Sequence, residues 1–161
     1  GAEVETTVFC NLSAEAIFRS IREMKEHIRR CHIFVLSGGF SSGDEPDGSG
    51  KFIANVLNNK DIAEEIHALL DRGGLILGIC NGFQALVKSG LLPYGRLGCV
   101  TKDSPTLFRN DINRHVSQIV TTRVASTASR WAICTVSPSA TAKASSWSAS
   151  SWRAGCSSAG R

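Results

Sequence analysis

The chain has 161 residues, 42% of them hydrophobic and 20% charged, which suits a soluble folded core and excludes fibrous and disordered classes. No apolar run is long enough to cross a membrane, and the opening Gly1-Ala2-Glu3-Val4 has neither the basic nor the apolar part of a leader, so a cytoplasmic protein is expected. The formal charge of +4 comes from Arg130, Lys143, Arg153 and Arg161, scattered beyond the last acid, Asp111, and forming no basic face for nucleic acid.

Residues 4–9, Val-Glu-Thr-Thr-Val-Phe, have the β-branched and aromatic content of a strand. Ser13 is a good N-cap, and residues 15–30 follow as a helix with Ile17, Ile21, Met24 and Ile28 on one face. Ile33-Phe34-Val35-Leu36 is continuously apolar and reads as a strand buried on both faces. A Gly/Ser/Asp-rich loop over residues 37–50 precedes helical patterns over 51–57 and 61–71. Gly73-Gly74 then lead into residues 75–79, a second doubly buried strand. Residues 83–89 read as a helix closed by Gly90, with Pro93 soon after. Residues 107–124 read mostly as strands, with Ile119, Val120 and Val124 apolar. Strands alternating with helices imply βαβ units, hence an α/β domain with a mostly parallel sheet and helices on both faces.

In such a sheet chemistry gathers at the carboxyl ends of the strands. Gly78-Ile79-Cys80-Asn81-Gly82 lies at one of them and has the G-x-nucleophile-x-G form of a nucleophile elbow. Gly78 and Gly82 permit the sharp strand-to-helix turn, and the helix N-terminus beneath Cys80 favours a thiolate. The Asn81 N–H is then a candidate oxyanion donor. Ser37-Gly38-Gly39-Phe40 ends the neighbouring strand, where paired glycines free backbone N–H groups to complete the cradle. A glycine-flanked buried cysteine at an ordinary turn is the alternative reading of the same residues.

The other cysteines are Cys10, Cys31, Cys99, Cys134 and Cys156; they form no C-x-x-C pair and no zinc-site spacing with histidine. No metal is expected, the thiols are expected reduced, and most are expected to pack as small buried hydrophobes. His32 and His67 sit within apolar patterns that suit structural histidines.

These motifs carry a resemblance. The stretches VLSGGFSSGD (35–44) and LGICNGFQAL (77–86), together with LLPYG (91–95), NRHVS (113–117) and TRV (122–124), resemble the glutaminase domain of phosphoribosylformylglycinamidine synthase, a class I glutamine amidotransferase. The resemblance implies a flavodoxin-like fold, incomplete at both ends here, that hydrolyses glutamine and passes ammonia to an ATP- and magnesium-dependent synthetase region in purine biosynthesis. The glutaminase domain itself needs no cofactor. It implies Cys80 as nucleophile, the backbone of Gly39, Phe40 and Asn81 as the oxyanion hole, and Gln84, Arg114, His115 and Ser117 beside the bound glutamine.

The chain departs from the family at both ends. The family's first βα unit, with its PGTN-like loop, lies before the position of Gly1. The downstream S-H-G-E-G motif that supplies the acid/base histidine and its glutamate is missing. Composition changes near Ser126: the last 36 residues hold eleven Ser and all three Trp but no Asp, Glu, Leu or Phe. Codons for residues 131–147 can be chosen so that a shifted frame reads GDMHGQPVSHGEGQFV, with S-H-G-E-G across residues 139–144. Residues 1–125 are therefore expected to form a partial glutaminase-like domain and residues 126–161 an out-of-frame, poorly ordered tail. On this reading the chain as written is an impaired glutaminase, because triad members act as a unit. A catalytically dead fragment or binding module, and another cysteine hydrolase with an elbow, are the alternatives.

Overall fold

The computed structural model describes residues 1–39 and 50–106. The expectations for residues 40–49 and for everything from residue 107 on, including the strands of 107–124 and the tail, lie outside the described residues. The element order is α1 (Ala14–Arg30), β1 (Ile33–Leu36), α2 (Lys51–Leu57), α3 (Lys60–Asp71), β2 (Leu75–Gly78), α4 (Asn81–Ser89) and the single turn α5 (Leu91–Tyr94). The sequence pattern located six of these to within two residues. It missed α5.

Helix α1 is specified locally. The Ser13 Oγ accepts the Ala16 N–H at 3.2 Å, satisfying one of the first-turn donors. Glu15, in that turn, is held below the usual carboxylate range by its own backbone N–H and by the Ser13 hydroxyl. At the far end, Arg72 reaches across from the end of α3 and donates to the Ile28 and Cys31 carbonyls. A cation there meets the negative end of the helix dipole.

Strands β1 and β2 pair in parallel, with Ile33 opposite Leu75 and Leu36 opposite Gly78. The Leu75 N–H bonds the His32 carbonyl and the Ile79 N–H bonds the Leu36 carbonyl, each at 2.9 Å, so the ladder runs to the edge of the cysteine turn. A parallel pair needs a long crossover, which α2 and α3 supply. Phe34, Leu36 and Ile76 turn inward to meet Ile28 of α1, Ile62, Ile66 and Leu69 of α3, and Leu86 of α4 in one core.

Three expectations are corrected. Residues 4–9 form no strand. A strand needs a hydrogen-bonding neighbour, and this segment takes side-chain partners on helices instead. Thr7 Oγ1 bonds His27 Nδ1 at 2.6 Å, Arg30 holds the Glu5 carboxylate, and Phe9 meets Phe52 edge to face at 5.7 Å. The strands are also not buried on both faces, since Ile33 and Val35 are 53% and 49% exposed. Side chains alternate across a strand, and the described helices cover only the face that carries Phe34 and Leu36. The described cysteines, finally, are not buried: Cys10, Cys31 and Cys80 are half-buried, Cys99 is exposed, and all four are free thiols, while Cys134 and Cys156 lie outside the described residues.

Candidate active site

The turn from β2 into α4 has an unusual backbone. Cys80 has φ 51° and ψ −109°, and it is the one non-glycine among them with positive φ. An L-residue reaches that region only at a cost of about 1–3 kcal/mol, supported by its surroundings. The support is visible. The Gly82 N–H closes back on the Ile79 carbonyl at 2.9 Å, and the Gln84 N–H donates to the Cys80 carbonyl at 3.1 Å.

The flanking glycines are required sterically. A β-carbon on Gly82 would collide with the Leu36 carbonyl of β1. One on Gly78 would stand 2.8 Å from both the N and Cα of Phe83 and 2.6 Å from Leu86 Cδ1. Helix α4 therefore lies directly on the strand ends, closer than any side chain would allow. Cys80 occupies the cap position of its N-terminus, and the Cys80 side chain makes no capping hydrogen bond there.

The end of β1 comes to the same place. A β-carbon on Gly38 would be 3.1 Å from Cys80 Cβ, so the two glycine-bearing strand ends adjoin. Gly39 has φ 141°, a conformation that glycine adopts readily, and faces open space. Asn81 and Gln84 are buried in the first turn of α4. Gln84 is only 5% exposed, and its Oε1 has no hydrogen-bond partner among the described residues. A buried carbonyl left without a donor costs about 1–3 kcal/mol unless a ligand supplies one.

Cys80, Gly38, Gly39, Asn81 and Gln84 are thus gathered at the carboxyl ends of β1 and β2, with Gly78 and Gly82 flanking Cys80. Phe40, Arg114, His115 and Ser117 lie outside the described residues. Two histidines have partners elsewhere: His27 bonds Thr7, and His67 accepts the Leu97 N–H at 3.2 Å on Nε2. His32 is exposed. Among the described residues no three His, Cys, Asp or Glu side chains cluster as metal ligands, and no helix is long and apolar enough to cross a membrane.

Sequence reasoning overlooked Gly50. It has φ 86° at the head of α2, and its α-carbon faces the backbone of α4: a β-carbon would meet Ala85 N at 2.6 Å and Gln84 C at 2.9 Å. The signal available was a glycine where a helix N-cap usually carries Ser, Thr, Asp or Asn.

The family model of the CobB/CobQ-like glutamine amidotransferase domain matches residues 1–147. The phosphoribosylformylglycinamidine synthase subunit PurQ of Dehalococcoides mccartyi is 51% identical over 61 residues, 38% of this chain and 23% of that protein. The same subunit of Koribacter versatilis is 33% identical over 102 residues, 62% of this chain and 36% of its own length. That of Methanococcus maripaludis is 37% identical over 93 residues, 55% and 34% of the two chains. The chain therefore spans between 23% and 36% of the length of these curated relatives. No solved structure matches it.

Proposed function

The chain belongs to the CobB/CobQ-like glutamine amidotransferase domain family, and from that premise we propose that it is the glutaminase part of a phosphoribosylformylglycinamidine synthase. The observation that carries this reading is the strained Cys80, held at φ 51° between two glycines at the mouth of α4. In this role the Cys80 thiolate attacks the carboxamide carbon of glutamine. The C–N bond breaks, ammonia leaves with a proton, and a glutamyl thioester remains for water to hydrolyse to glutamate and free thiol. Backbone N–H groups of Gly39, Phe40 and Asn81 hold the oxyanion at each tetrahedral stage. Gln84, whose buried Oε1 awaits a donor, sits beside the substrate together with Arg114, His115 and Ser117.

The ammonia serves a synthetase region, on this chain or a separate subunit, which carries the ATP and magnesium chemistry converting formylglycinamide ribonucleotide to formylglycinamidine ribonucleotide. The enzyme works in the cytoplasm. Residues 1–125 are the glutaminase-like part, and residues 126–161 come from a frameshift between about residues 126 and 132; third bases in the encoding DNA that forbid the shifted reading would end that idea.

A glutamine-shaped chloroketone tests the site. It labels Cys80 well ahead of Cys10, Cys31 and Cys99, and equal labelling of all of them refutes the elbow as a glutamine site. Glutamate release is low from this chain and rises when the frame carrying S-H-G-E-G is restored. The missing acid/base histidine favours a second reading, a catalytically dead fragment, which is supported if this chain releases no glutamate while the restored frame does.

A further inference from the structure

We infer that Gly38 and Gly50 are positioning residues for the Cys80 thiol, acting through the bare backbone each presents to the elbow; the inference rests on reading Cys80 as the nucleophile. The Cys80 side chain does not cap α4, and Cys80 is held in a conformation that L-residues avoid. A strained turn of this kind persists only when contacts from other elements determine it. The elbow glycines supply part of that. The rest comes from the two ends of the connection between β1 and α2.

At one end Gly38 lies under the thiol-bearing carbon: an added β-carbon would sit 3.1 Å from Cys80 Cβ and 3.3 Å from the Ile79 carbonyl oxygen. Cys80 would have to give way by a few tenths of an ångström. At the other end Gly50 abuts α4 one turn further on, where a β-carbon would stand 2.6 Å from Ala85 N, 2.9 Å from Gln84 C and 3.0 Å from Ala85 Cα. These are backbone atoms that cannot rotate aside, so α4 and the head of α2 must move apart. Such a shift carries Gln84 with it and moves the amides at the helix mouth relative to the sulfur.

Gly73 provides the control. Its φ of 87° nearly equals the 86° of Gly50, but a β-carbon there meets nothing within 4 Å. Gly73→Ala therefore imposes the same backbone strain without a push on α4.

The experiment measures two alkylation rates at Cys80 in the 161-residue chain, one with the glutamine-shaped chloroketone and one with iodoacetamide, in Gly38→Ala, Gly50→Ala and Gly73→Ala. Displacing reacting groups by as much as 1 Å costs up to about 10²-fold, so the chloroketone rate is expected to fall about tenfold in the first two variants. Iodoacetamide, which needs no shaped site, falls less, and the ratio of the two rates drops. Gly73→Ala loses thermal stability but keeps the wild-type ratio. A merely structural role would lower the melting temperature of Gly50→Ala with its ratio intact, and folded Gly38→Ala and Gly50→Ala both at the wild-type ratio would overturn the inference. If Gly50→Ala does not fold, Gly38→Ala decides, since its φ lies outside the left-handed region. If the wild-type chain shows no chloroketone preference for Cys80, the glutaminase reading fails on its own. The positioning inference is then decided by iodoacetamide alone, holding if the variants change the Cys80 rate relative to Cys10 and failing if they do not.

Discussion

Helices α1 and α4 reach their conformations by opposite routes. Helix α1 runs for 17 residues, buries three of them, and carries its own instructions: a serine cap, an apolar stripe, an acid in the first turn and basic residues in the last. Helix α4 has nine residues and a cap residue, Cys80, whose side chain makes no capping hydrogen bond, yet six of its residues are buried. The first is stabilised along its length by local chemistry. The second is held where it is by strand ends and glycine backbones that touch it from outside. A cap lost from α1 therefore loosens one end of one helix, whereas a methyl group added at the foot of α4 displaces the candidate site.

The contrast can be broken or sharpened by substitution. Gly82→Ala should have the largest effect, because its β-carbon collides with the fixed Leu36 carbonyl. A loss of about 3 kcal/mol or more, or failure to fold, is expected in urea denaturation. Ile66→Ala, at the fully buried centre of α3, should cost about 2–5 kcal/mol by the same measurement. Arg72→Ala removes the donors to the last carbonyls of α1 and should cost roughly 1–2 kcal/mol.

That last substitution has a second readout. Burial pushes the Cys31 thiol up and the nearby Arg72 charge opposes the shift. Losing the arginine raises the thiol further, so Cys31 alkylation should set in at higher pH than in the wild type. Ser13→Ala should cost about 1 kcal/mol, confined to the start of α1 and visible as faster amide exchange there. The smallest effect belongs to Glu15→Gln on the exposed first turn. A carboxylate held low stabilises the fold above its ordinary pKa and loses that contribution as pH falls through its lowered value. The variant should therefore differ from wild type at neutral pH and converge with it in acid. If Ser13→Ala proved more damaging than Gly82→Ala, the division between locally and externally specified helices would be wrong.

Residues 4–9 show where sequence patterning stops. Val4, Thr6 and Val8 have the composition of a strand, but composition does not provide the neighbouring edge that makes one, and the segment lies on helices through Thr7 and Phe9, with Cys10 just after it bonded to Ser20. The apolar run of β1 likewise announced a strand without revealing that one face would stand open at Ile33 and Val35. At the candidate site the legible part was the glycine pattern, because a G-x-C-x-G turn is a local steric requirement. Gly50 was not legible, since its importance depends on a helix more than thirty residues away.

What the amino-acid order determined by itself was a set of short-range features: six of the seven described helices and strands, where α1 begins, and that Cys80 stands at a glycine-flanked turn. These follow from side-chain size, periodicity and hydrogen bonding within a few residues. Only the tertiary structure decided that Gly38 comes to Cys80 while Gly50 and Leu36 converge on α4, and which face of the sheet is covered. The physical reason is that close packing couples atoms remote in sequence, and a collision with a backbone carbonyl from another strand is written in no local pattern.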